Sequence, residues 1–184
     1  RLVAEHEGEN RRADPDHAVA YAANAERLGA KLDELDRLMQ DATAGMPETS
    51  RTLLTHHDAY AYFAQHYGWK VIGAIQVASF DEPTAKEVAA LIEQVKAAGV
   101  PAIFGSEVVP SPVLEQIGRE AGVRYVDTLR DDDLPGAPGD PEHSLIGLLR
   151  YDFVTMVASL GGDAGALQRF DTSGGGRDAA VYPQ

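Results

Sequence analysis

From residue 51 onward the chain repeats one pattern four times: a short apolar run, a polar turn, then a longer run with helical spacing. The apolar runs are 51–55, with Leu53 and Leu54 at its centre, 71–77, 101–106 and 123–127. The helical runs are 58–67, 84–98, the stretch from Ser111-Pro112 to Gly122, and 144–160. Gly68, Gly99 and Gly122 stop the first three. Alternation over loops this short predicts an α/β fold: a four-stranded parallel sheet with helices on both faces. Right-handed crossovers then bring the carboxyl end of every strand to one edge. A long helix precedes this unit. Asp14 and Pro15 have the chemistry of an N-cap and a first helical residue. Val19, Ala22, Ala25, Leu28, Leu32, Leu35 and Met39 follow at steps of three and four. The expected division is therefore 1–13 loop or disordered, 14–44 long linker helix, 48–170 α/β lobe, and 171–184 flexible tail around Gly174-Gly175-Gly176.

Composition narrows the chemistry. The chain has 184 residues, 44% of them hydrophobic and 24% charged, the make-up of an ordinary globular domain. A net charge of -13 argues against a nucleic-acid partner and suits a cation. Cysteine is absent, which excludes thiolate ligands, thiol catalysis and disulfides. No run approaches the roughly 20 apolar residues of a membrane span, and no signal peptide occurs in these residues. The polar start at Arg1 has the character of a processed or truncated end. Gly105-Ser106-Glu107-Val108 lacks the nucleophile elbow, and no phosphate-binding glycine motif is present.

The strand-end edge gathers the candidates. The first loop carries His56, His57 and Asp58; the second, Ser79, Asp81 and Glu82; the third, Glu107; the fourth, Asp127 and then Asp131-Asp132-Asp133. Imidazole and carboxylate without thiolate suit zinc, manganese or iron(II). The same residues also fit blander roles: a histidine at a helix start, a solvated carboxylate, a flexible acidic turn. Tyr60, Tyr62, Phe63 and Tyr67 have the spacing of helix packing, and His17, His66 and His143 stand as single histidines.

These motifs carry a resemblance. The run Thr55-His56-His57-Asp58-Ala59-Tyr60-Ala61-Tyr62-Phe63, continuing to Tyr67-Gly68, is similar to a stretch of the zinc/manganese solute-binding proteins of ABC importers. Glu82-Pro83-Thr84, Phe104-Gly105-Ser106-Glu107, and Val126-Asp127 through Asp133-Leu134-Pro135-Gly136 resemble three further loops of that family, in order. The resemblance implies two α/β lobes joined by a rigid helix, with one metal ion in the cleft. It implies His57, Glu107 and Asp132 as ligands here, with Asp131, Asp127 and His56 as substitutes or supporting residues, and Asp58 at the helix start. The family's first lobe, its histidines and its "D-P-H" segment are absent from these residues. Asp14-Pro15-Asp16-His17 matches the later helix start, so His17 is not the missing ligand.

What the resemblance implies is thus a linker helix and C-terminal lobe that bind zinc or manganese, with iron possible, and catalyse nothing. An ABC permease would be the partner of the intact protein. The location would be extracytoplasmic, periplasmic or as a membrane-anchored lipoprotein. The isolated lobe would be prone to self-association. Two alternatives stand beside this: a metal-dependent hydrolase with Glu107 or Asp132 as general base, and a metal-free, adhesin-like half-domain.

Overall fold

The computed structural model describes residues 2–76, 83–106, 111–130 and 133–174. The chain opens with helix α1 (Leu2–Ala13), where a loop or disordered end is expected from sequence. The helix has no long apolar period. It is supported instead by side-by-side packing on the next helix and by an Arg11–Glu7 pair at 3.2 Å, one turn apart. Both packing surfaces are needed for that support, and thirteen residues taken alone contain only one of them. A 3-10 turn (Pro15–His17) follows, and then α2 (Ala18–Ala44).

Asp14 makes no side-chain cap to that turn. Its Oδ2 lies 2.8 Å from His17 Nδ1 and accepts the Tyr21 hydroxyl at 2.9 Å. The long helix therefore starts at Ala18, later than the capping pattern implies. The C-terminal half of α2 buries Leu35, Met39 and Thr43. Near its start, Val19 is 85% exposed. The apolar stripe continues along the helix, and it meets the core from Leu28 onward.

Four strands and five helices complete the described chain: β1 (Thr52–His57), α3 (Ala61–Tyr67), β2 (Lys70–Gln76), α4 (Ala85–Ala98), β3 (Ala102–Ser106), α5 (Pro112–Ala121), β4 (Arg124–Leu129), α6 (Leu145–Ser159) and α7 (Gly165–Gln168). The helix starts follow side-chain chemistry. Thr84 and Glu87 form a reciprocal capping box on α4. Ser111 Oγ accepts from Leu114 N–H at 3.2 Å, with Pro112 at the first helical position of α5. Ser144 Oγ accepts from Gly147 N–H at 3.1 Å on α6. Gly99 (φ 63°) and Gly122 (φ 73°) close α4 and α5 in the left-handed conformation, which lets each N–H return to the last turn.

β1 pairs with β2 and β3 with β4, both parallel. β1 packs beside β3, so the strands run in the order β2, β1, β3, β4. Among the described residues the expected four-stranded sheet is built as two hydrogen-bonded pairs, each with one break in register. The central strands are buried along nearly their whole length, whereas β4 is largely exposed. That is the pattern of strands covered on both faces against one at an edge. The core joins Leu53, Leu54, Ile103 and Phe104 of the strands to Leu35 and Met39 of α2, Leu114 and Ile117 of α5, and Met156 of α6. The chain leaves β1 toward β2 on one side and β3 toward β4 on the other. The strand order reverses between β1 and β3, where α/β folds place ligand crevices.

Candidate metal centre

His57 is the last residue of β1 and is half-buried; His56 beside it is 5% exposed. The Thr55 hydroxyl donates to the His57 carbonyl at 2.8 Å, holding the backbone where the strand ends. The two imidazoles meet edge to face, with centroids 4.5 Å apart and planes at 84°. Together with Tyr60 they line a crevice of about 10 Å³, closed by Gly105 and Ser106 of β3 and Leu129 of β4. That is room for about one water-sized sphere. The crevice lies at the β1/β3 reversal, so topology and side chains select the same place.

The described residues that flank two of the carboxylate candidates in the chain make well-defined contacts. Tyr125 lies across Gly105, and its hydroxyl accepts from Ser111 N–H at 3.2 Å. Ser106 and Ser111, the described residues on either side of Glu107 in the chain, are thus held by β3 and by Tyr125. Burial pushes the Tyr125 hydroxyl up, the Ser111 N–H opposes this, and the charges of Asp127 and Glu115 add to the rise. The acidic turn has a clasp. Arg130 N–H donates to Asp152 Oδ1 at 3.0 Å, and the Arg130 guanidinium donates to the Leu134 carbonyl at 3.3 Å while lying 5.2 Å from the Tyr151 ring centroid. Arg130 and Leu134 flank Asp131-Asp132-Asp133 in the chain, and the hydrogen bond from guanidinium to carbonyl joins them directly.

Of the sequence candidates, the structure brings His56 and His57 together at the crevice. Asp127 is exposed on β4 and is not part of the crevice lining. Glu107, Asp131 and Asp132 lie outside the described residues. So do Ser79, Asp81 and Glu82. Among the described residues no three His, Asp or Glu side chains converge in a metal-binding arrangement. Sequence reasoning missed Tyr125 and Arg130. A lone arginine beside three aspartates was a usable signal for the second; nothing local marks Tyr125. It also left His66 without a partner, and the structure places its Nε2 2.7 Å from Asp36 Oδ1.

Residues 2–159 match the family model described as "ZnuA: Zinc-uptake complex component A periplasmic". The chain belongs to this family. A manganese-binding lipoprotein, MntA, of Halalkalibacterium halodurans is 29% identical over 147 residues, covering 80% of this chain and 49% of that protein. The iron-binding protein YfeA of Yersinia pestis is 26% identical over 148 residues, covering 80% and 47%. The periplasmic zinc-binding protein TroA of Treponema pallidum superposes with a TM-score of 0.73 at 24% identity, over 84% of this chain and 57% of that one. At that identity the likeness speaks for the fold. The chain spans about half the length of the curated relatives it matches. The family is one of metal-binding transport components, not a class of enzymes. No helix among the described residues is long and apolar enough to cross a membrane.

Proposed function

We propose that this chain is the C-terminal metal-binding lobe, with its long helix, of a solute-binding protein that delivers a divalent ion to an ABC importer outside the cytoplasm. The observation that carries the reading is the imidazole pair at the strand-order reversal of a chain belonging to this family. The ligands are His57, Glu107 and Asp132; Asp131 is the substitute carboxylate and His56 supports His57 from beneath. Asp127 is the weakest substitute, because it faces solvent away from the crevice. A neutral imidazole and two carboxylates balance the charge of a divalent cation, and the mixed nitrogen and oxygen set suits zinc or manganese. The named relatives bind manganese, iron and zinc, so iron belongs in the same set. The ion is cargo: it is bound and released, and the protein catalyses no reaction. Residues 14–44 act as the linker helix, 48–170 as the lobe, and the residues from 171 as its tail. The partner in the intact protein is the membrane permease.

Calorimetry with zinc and with manganese tests the site. The double variant His57→Ala/Asp132→Ala is expected to lose the binding heat of both ions at concentrations where wild type saturates. Wild-type affinity in that variant sinks the ligand assignment.

A further inference from the structure

α3 is the element that leaves the crevice, and its far end is fastened to α2. It starts four residues after His57 and runs only from Ala61 to Tyr67, with no side-chain cap at its start. A helix this short does not hold itself together in water, so its position is set by what it docks on. Asp36 of α2 meets its last turn. Asp36 Oδ1 lies 2.7 Å from His66 Nε2 and accepts the Tyr67 hydroxyl at 2.7 Å. Gln40 Nε2 donates to the other oxygen, also at 2.7 Å. One carboxylate therefore receives two donors from α3 and one from its own helix.

The other end of this chain of contacts is the crevice. Tyr60, which lines it beside His57, meets Phe63 edge-on at 6.2 Å. Phe63 in turn packs on Tyr67 at 4.9 Å and on Trp69 at 5.4 Å. Continuous packing thus runs from the crevice wall through Tyr60, Phe63 and Tyr67 to Asp36.

We infer that Asp36 is a positioning residue of the metal crevice: by holding the end of α3 it sets where Tyr60 stands in the crevice wall beside His57. The inference rests on the metal-binding reading above. Its physical basis is tolerance. Metal–ligand distances hold to within about 0.2 Å, so a small movement of the Tyr60 wall is enough to disturb the ligand that lines the crevice with it.

The test uses zinc or manganese alone, at a temperature well below each variant's unfolding. Calorimetry gives the Kd, and the emission of Trp69, the chain's single tryptophan, reports on α3 through Phe63. Wild type is expected to bind with a change in Trp69 emission. Asp36→Asn is expected to weaken binding roughly three- to tenfold and to shrink the emission change. Tyr67→Phe is expected to go the same way by less. The combined variant is expected to be no worse than Asp36→Asn, because both changes cut one contact. A merely stabilising role would lower the melting temperature and leave Kd and emission alone. Wild-type Kd and emission response in both single variants overturn the inference and leave the metal reading standing. No binding heat in wild type with either ion overturns both. Should Asp36→Asn not fold, Tyr67→Phe and His66→Gln, each altering one donor, carry the same comparison.

Discussion

Gly105, in the crevice wall, makes room for Tyr125 by lacking a side chain. A Cβ built there would sit 2.5 Å from Tyr125 Oη and 2.8 Å from its Cε2. Only glycine leaves room for the ring beside β3, from where its hydroxyl accepts from Ser111 N–H. Gly105→Ala should therefore destabilise the fold by about 1–3 kcal/mol, the range for overpacking a filled site. The expected signature is a lower urea midpoint with an unchanged slope. An unchanged midpoint would mean the Tyr125 ring swings aside freely and is not packed on Gly105. Arg130 works on the same scale: one guanidinium reaches the Leu134 carbonyl four residues on.

Between elements, the joint of α2 and α3 links stability to pH. Burial works to raise the Asp36 carboxyl, but the Tyr67 and His66 hydrogen bonds outweigh it and hold the group below its ordinary value. The partner Tyr67 hydroxyl is pushed up, by its own burial first and then by Asp36. A carboxylate with a depressed folded-state pKa stabilises the protein above its unfolded pKa, about 3.9 for aspartate. That contribution is lost as pH falls from there through the lowered folded value. Asp36→Asn is thus expected to melt below wild type at neutral pH, with the gap closing in acid. The joint is partly exposed, with Asp36 36% and His66 54% accessible, so solvent screens it and the effect is modest. Parallel melting curves with a constant offset down to acid pH would remove the charge from the explanation. α1 makes a related point: it is a helix because α2 lies beside it, not because its own residues demand one.

Over the whole molecule, the C-terminal half of α2 is sunk in the core, while Val19 near its start is exposed. Along the first half runs an open groove of about 720 Å³ whose apolar lining, Val3, Tyr21, Ala25, Leu28 and the half-exposed Leu145, is flanked by polar residues such as Glu7 and Arg27. The apolar part of such a surface favours association. Sedimentation velocity on this chain is expected to show reversible dimerisation that increases with concentration. Leu28→Glu should weaken it, since a charge would then have to leave water. A monomer at every concentration would dismiss self-association through this face.

From residue 51 on, sequence alone determined the strand and helix types, and it pointed to one strand-end edge for the candidate site. Periods of 2 and 3.6 are local properties, and so are capping residues such as Thr84 and Ser111 and stop glycines such as Gly99. These were sufficient for the strand–helix alternation, for the common edge of the loops, and for picking out His56 and His57. The family motifs were legible for the same reason, being short and contiguous. Tertiary structure decided everything that needs a distant partner. β1 lies beside β3, α1 folds on α2, Tyr125 crosses Gly105, and His66 meets Asp36 thirty positions away in the chain. No local pattern specifies such pairs, because each depends on which surfaces remain to be buried once the elements have formed. The crevice belongs to this second class. Its imidazoles are adjacent in sequence, but its opposite wall comes from β3 and β4, and only the order of the strands brings the two walls together.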